Sequence, residues 1–189
     1  MRVFAAVVPP EEAHTDLEAF VEPRRAVDSP LRWTPSHLWH VTLAFMAEVP
    51  EGRLDSLLDQ ITAVADSTDP IPLRLKGAGM FPHAGEARVM WTDIRPEDPR
   101  CLEDLERLAL RMRTACSRLD VPTAGGDYRP HLTLARSRRA FDGTHWLRAM
   151  EAYSGPTWLA EEATVFVSRE DRSGRPHYEV EAVCPLSRG

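Results

Sequence analysis

The chain has 189 residues, with 23 Lys+Arg against 29 Asp+Glu and a formal net charge of −6. That length suits one domain or two small lobes sharing a core, and 43 % hydrophobic with 28 % charged residues excludes a disordered chain. The acidic balance excludes a protein that coats nucleic acid by bulk attraction, which needs many cations, but leaves room for a site holding one phosphate.

Arg2–Val8 is apolar and β-branched and reads as a central strand. Pro9 and Pro10 end it, and Pro10-Glu11-Glu12 opens a helix to about Val21, with Pro near N1 and acids in the first turn. Residues 23–30 read as a loop, Leu31–Thr34 as a short strand and Leu38–Phe45 as a longer one. A helix starting at Pro50-Glu51-Gly52 runs through about Ala65, with Leu57, Leu58, Ile61 and Val64 as its apolar stripe. Two strands, Ile71–Lys76 and Ala87–Ile94, flank a Gly-rich loop from Gly77 to Gly85. The longest helix spans Pro99–Leu119, with Leu102, Leu105, Leu108, Met112 and Leu119 at helical spacing. Gly125-Gly126 breaks the chain before a strand at His131–Arg136 and a short helix around Asp142–Ala152. Thr164–Ser168 and Tyr178–Val183 close the chain as a hairpin across Ser173-Gly174. The mixed order, with no dividing linker, predicts an α+β fold of two similar halves around one cleft.

No apolar run approaches the ~20 residues of a membrane span, and Met1–Val8 runs into prolines and acids without a cleavage pattern. Cys101, Cys116 and Cys184 are odd in number and lack metal-ligand spacing. Cys101 and Cys116 share the predicted long helix, where a rise of ~1.5 Å per residue keeps them beyond disulfide reach. These features predict a reduced, cytoplasmic protein without a membrane anchor.

One short repeat carries chemistry. His40-Val41-Thr42-Leu43-Ala44 recurs as His131-Leu132-Thr133-Leu134-Ala135, 91 residues later. With the period of two of a strand, Val41, Leu43 and Phe45 share an apolar face, and His40 and Thr42 share the other. Likewise Leu132 and Leu134 face the core while His131 and Thr133 face away. If a pseudo-twofold axis relates the halves, two imidazoles and two hydroxyls meet across a cleft. That set suits attack on a phosphodiester: one imidazole takes a proton from water, the other protonates the leaving oxygen, and the hydroxyls bind non-bridging oxygens. No metal or cofactor is required for those steps. Residues 128–148 hold five Arg against Asp142 alone, a local charge of +4 beside the second motif.

With these motifs the chain resembles the 2H phosphoesterase superfamily, and within it the RNA 2′,3′-cyclic phosphodiesterases, also called 2′-5′ RNA ligases. The likeness takes in Met1-Arg2-Val3-Phe4-Ala5-Ala6, Arg32-Trp33, both His-x-Thr motifs, Gly79-Met80-Phe81-Pro82, Arg88-Val89-Met90-Trp91 and Tyr128 to Arg136. It implies a bilobal α+β fold over residues 1–189 with pseudo-twofold symmetry, two antiparallel-rich sheets flanking a central cleft, helices outside, and one motif per lobe. It implies a metal-free enzyme, expected to act as a monomer on RNA termini, that opens a terminal 2′,3′-cyclic phosphate to a 2′-phosphate, or runs the reverse as 2′-5′ ligation. Alternatives are 2′-5′ oligonucleotides or small cyclic nucleotides as substrates, or a module that binds RNA ends without turnover.

By the resemblance, His40 is the acid to O3′, His131 the base for water, and Thr42, Thr133 and Arg136 hold the phosphate. Strict alternation turns Arg136 to the face opposite His131, so its role requires a bulge or the strand's end. Phe45, by the same parity, belongs to the core. Tyr128, Phe81 and His83 are candidates for substrate contact, though Tyr128, which can stack on a base, can equally serve as packing. His37 and His40 sit three apart, which on a strand points them to opposite faces and argues against a metal pair. His14 is expected on an exposed helix face, His145 and His177 have no partner pattern, and Arg138-Arg139 are expected to form a solvated face, the alternative being contact with RNA phosphates upstream of the end.

Overall fold

The computed structural model describes residues 1–27, 30–170 and 176–187. Nine strands alternate with four helices: β1 (Arg2–Val7), α1 (Glu11–Arg25), β2 (Arg32–Trp33), β3 (Val41–Met46), α2 (Leu54–Ala65), β4 (Ile71–Phe81), β5 (Ala87–Ile94), α3 (Pro99–Arg118), β6 (His131–Phe141), α4 (Thr144–Glu151), β7 (Ser154–Ala160), β8 (Glu162–Glu170) and β9 (Pro176–Pro185). The strands follow one path, β7-β4-β5-β6-β3-β1-β8-β9, with β2 added on β6. Every pairing along it is antiparallel.

The path is two sheets joined edge to edge. β7-β4-β5-β6 forms one and β3-β1-β8-β9 the other, and they meet through a single pair, Val41 opposite Leu132. The motif strands β3 and β6 are thus the innermost strands of their lobes, with β1 and β5 as their equivalent outer neighbours. The helices cross over: α1, which follows β1, packs on β7 of the other sheet, and α3, which follows β5, packs on α2 and β3. That exchange buries the seam. Leu17 and Val21 of α1, Leu57 and Ile61 of α2, Leu105, Leu108 and Met112 of α3, and Met150 of α4 fill one core with Val41, Leu43, Leu132 and Leu134.

Local chemistry accounts for the start of α3 and the end of α1. Asp98 caps α3, its carboxylate accepting from the Arg100 amide, with Pro99 in the first turn. α1 runs on to Arg25, past the expected stop near Val21. Pro23 costs a backbone bond there, but the Arg24 guanidinium donates to the Phe20 carbonyl, and Arg25 bridges Glu18 and Glu22. Of the expected loop over 23–30, Asp28 and Ser29 lie outside the described residues, as does the Ser173-Gly174 turn of the final hairpin.

Three strands differ clearly from expectation, one of them β6, which runs past the expected end at Arg136 to Phe141. The Gly-rich stretch is part of β4, which continues through Gly77 and Gly79 to Phe81. Gly77 adopts φ 72° at a register shift, where β4 bulges against β5. Gly79 pairs with Trp91, and a Cβ there would lie 2.0 Å from the indole ring. Glycine is required for that close approach rather than for a loop. Gly79→Ala is therefore expected to destabilise the protein by about 2 kcal/mol, lowering the thermal midpoint by roughly 4–8 °C. A midpoint unchanged within a degree would refute the Gly79–Trp91 contact. β7 is an element that the sequence reading does not include. It forms an edge strand, where proline is tolerated.

Among the described residues, no helix is long and apolar enough to cross a membrane.

Candidate active site

Both motif strands carry the same irregularity. In β3, Ala6 of β1 faces Thr42 and Ala5 faces Ala44, so Leu43 is an extra residue. In β6, Trp91 of β5 faces Thr133 and Met90 faces Ala135, so Leu134 is extra. Each bulge reverses the inside–outside alternation after it. Leu43, Ala44 and Met46 are buried, as are Leu134 and Ala135. Phe45 and Arg136 therefore turn to the side of His40-Thr42 and His131-Thr133, and all six residues line one cleft of about 810 Å³. This supplies the bulge that Arg136 needed. It also corrects Phe45, which is half-buried on the cleft side and not core.

The seam between lobes sets the pairs against each other. Val41 stands opposite Leu132 at the antiparallel seam, with His40 and Thr42 flanking that pair on β3 and His131 and Thr133 flanking it on β6, and all four line the same cleft.

The two imidazoles are held alike. His40 Nδ1 lies 2.7 Å from the Leu38 carbonyl, and His131 Nδ1 lies 2.7 Å from the Arg129 carbonyl. A carbonyl only accepts, so Nδ1 carries the hydrogen in both rings and Nε2 is left for chemistry. Burial pushes both rings below the ordinary histidine pKa. The Leu38 carbonyl opposes that shift at His40, while the charges of His131 and Arg136 add to it. At His131 the Arg129 carbonyl opposes it, Arg136 and Arg129 add to it, and Asp93 opposes it. Arg136 thus acts on both imidazoles.

Aromatic walls flank each histidine. Phe4 and Tyr178 stand 4.7 Å and 5.6 Å from the His40 ring, centroid to centroid. Phe81 and Trp91 stand 5.0 Å and 5.8 Å from His131. Asp93, paired with His131 across the ladder, holds Arg95 at 3.0 Å and Arg129 at 3.8 Å, and Arg129 lies over the Trp91 ring.

The remaining candidates separate clearly. Phe81 reaches the site as an edge-on wall to His131. Tyr128 does not line the cleft: its ring packs against the core and its hydroxyl donates to the Thr42 carbonyl at 2.9 Å, tying the approach to the second motif onto the first. His83 is exposed on the surface beside Glu86, at 3.7 Å, and is not part of the cleft lining. His37 does line the cleft. The strand parity that turned it away fails because Ser36–Leu38 forms a 3-10 turn and β3 starts only at Val41. His14 is half-buried rather than exposed, with Nε2 donating to the Ser36 carbonyl at 2.9 Å. Sequence reasoning missed Tyr178 and His177, which the β8–β9 hairpin folds back over the first lobe, and Asp93, whose signal lies only in its register.

A sequence model described as the 2′-5′ RNA ligase superfamily matches residues 9–172. The RNA 2′,3′-cyclic phosphodiesterase of Thermus thermophilus is 32% identical over 140 residues, covering 73% of this chain and 69% of that protein. The RNA 2′,3′-cyclic phosphodiesterase of Geobacillus stearothermophilus is 27% identical over 154 residues, 82% of this chain, which spans only 47% of that relative's length. Among solved structures, TT0787 of Thermus thermophilus superposes with a TM-score of 0.77 at 29% identity, covering 100% of this chain and 99% of the other. Escherichia coli LigT complexed with 3′-AMP shares the fold with a TM-score of 0.73 at 23% identity, covering 98% and 97%. The match over 9–172 spans most of the chain and both motif strands: the chain belongs to the 2′-5′ RNA ligase superfamily.

Proposed function

We propose that this protein is an RNA 2′,3′-cyclic phosphodiesterase that hydrolyses a terminal cyclic phosphate to a 2′-phosphate. The observation that carries this reading is one cleft lined by two imidazoles with free Nε2 atoms, two threonine hydroxyls and Arg136, the last turned inward by the bulge at Leu134. The named activity of the similar proteins supports the choice of reaction.

In the proposed reaction His131 takes a proton from water as its oxygen attacks phosphorus. Asp93 stabilises the imidazolium that forms. The P–O3′ bond breaks, and His40 gives its proton to O3′, leaving a 3′-hydroxyl and a 2′-phosphate. Thr42 and Thr133 donate to the non-bridging oxygens, and Arg136 offsets the charge that grows there. The two imidazoles finish with their protonation exchanged and reset through solvent. With a 5′-hydroxyl in place of water, the same steps form a 2′-5′ linkage, and their reverse cleaves it to a cyclic phosphate and a 5′-hydroxyl. All proton transfers belong to side chains, so the chemistry needs no metal.

Arg32, Arg136, Arg138 and Arg139 on β2 and β6 have no carboxylate partner among the described residues. They extend the phosphate site along the strand and favour an RNA terminus over a lone cyclic nucleotide. The test is product analysis in chelator on a short RNA with a 2′,3′-cyclic phosphate end, beside a cyclic mononucleotide and a 2′-5′-linked dimer. A 2′-phosphate from the RNA is the expected product. Intact cyclic ends after long incubation, with RNA bound, would establish the end-binding module instead.

A further inference from the structure

The chain has three tyrosines, and two spend their hydroxyls on the fold. Tyr128 donates to the Thr42 carbonyl and Tyr153 to an Asp16 carboxylate oxygen, each at 2.9 Å. The Tyr178 hydroxyl has no hydrogen-bond partner among the described residues, yet Tyr178 lines the cleft with His40, Thr42 and Arg136.

Its ring is fixed. It stands edge-on to Phe4 at 4.9 Å and 76°, and edge-on to His40 at 5.6 Å and 83°. A ring held on two sides spends little rotamer entropy when its hydroxyl meets a ligand. Burial pushes the phenol above its ordinary pKa, against the pull of Arg136, so the oxygen keeps its hydrogen and can donate. The other lobe has no counterpart: the rings against His131 are Phe81 and Trp91, neither of which offers a hydroxyl. The Trp91 N–H is buried without a partner and out of reach of a ligand. Tyr178 also lies beyond residues 9–172, the span matched by the superfamily.

We infer that Tyr178 is a substrate-contacting residue, whose hydroxyl donates to a non-bridging phosphate oxygen on the His40 side of the cleft, as a third neutral donor beside Thr42 and Thr133. The inference rests on the two-histidine phosphate site proposed above. It makes the site asymmetric: the lobe that protonates the leaving O3′ grips the phosphate with one hydroxyl more than the lobe that activates water.

Tyr178→Phe removes the hydroxyl and keeps the ring. Binding of inorganic phosphate, followed by calorimetry, is expected to weaken about tenfold, and kcat/KM on a cyclic-phosphate end to fall by a similar factor. The thermal midpoint should hold or rise, because the hydroxyl makes no bond in the folded chain. Phosphate affinity and kcat/KM both within twofold of the parent would overturn the inference, as would a fall in the thermal midpoint with no change in affinity. Parent protein that neither binds phosphate nor opens cyclic ends would overturn the phosphate site itself, an outcome distinct from either result with the variant.

Discussion

Replacing His40 or His131 with alanine is expected to lower kcat on a cyclic-phosphate end by about 10³-fold in each case, at the centre of the range for general acid–base groups. The double variant should be little worse than either single one. The two rings serve one concerted displacement, and once either proton transfer is lost the other has nothing to support. Both losses should appear with KM nearly unchanged if Thr42, Thr133 and Arg136, which line the same cleft, hold the phosphate as proposed. Substituting sulfur for O3′ separates the roles. A thiolate leaves without a proton, so the sulfur substrate should recover most of the activity of His40→Ala and none of that of His131→Ala. The opposite pattern of rescue would exchange acid and base, and a single variant of full activity would end the two-histidine mechanism.

Arg136→Ala is expected to cost about 10²-fold in kcat/KM, with Arg136→Lys intermediate, since a lysine supplies the charge without the planar fork. A second consequence separates this residue from a merely structural one. Burial holds both imidazoles below the ordinary histidine range, and Arg136 depresses both further. The kcat/KM profile, which reports the free protein, should therefore be a bell with its optimum on the acid side of about pH 6.5. Removing Arg136 relieves part of the depression at both rings, so both limbs of the bell should move to higher pH. In the complex, the phosphate's negative charge favours the imidazolium, so the kcat optimum should lie at higher pH than that of kcat/KM. A profile unmoved in Arg136→Ala would place the guanidinium too far from the imidazoles to do what is proposed.

Period-two reading of the motif strands shows how far local rules reach. It placed Val41, Leu43, Leu132 and Leu134 in the core and His40, Thr42, His131 and Thr133 on the opposite face, as observed. It failed just past Leu43 and Leu134, where Ala44 and Ala135 are buried and Phe45 and Arg136 turn to the cleft, because alternation holds only while the ladder is regular. The bulges are set by how β1 and β5 pair with the motif strands, and those partners lie at least 34 residues away in sequence for β3 and at least 37 for β6. Of the two readings open for Tyr128, stacking on a base or packing, the structure shows packing, with its hydroxyl taken by a carbonyl of the other lobe. Residue 178 carried no signal at all, since nothing local tells an edge-strand tyrosine that a hairpin will fold it over His40.

The opening charge count also narrows in meaning. The acidic body stands, and so does the cluster of arginines beside the second motif, of which Arg136 enters the cleft. By itself the sequence determined the α+β class, the number of helices, the two His-x-Thr strands and the hydrolytic chemistry they suit. Apolar periodicity, capping residues and a repeated pentapeptide are all written within a few residues of one another. Only the tertiary structure decided that the two strands meet through one residue pair, that they bulge at Leu43 and Leu134, that Tyr178 and Phe4 line the cleft, and that Asp93 pairs with His131. Those facts depend on register between strands remote in sequence, which is fixed when the whole core packs and not by any one segment.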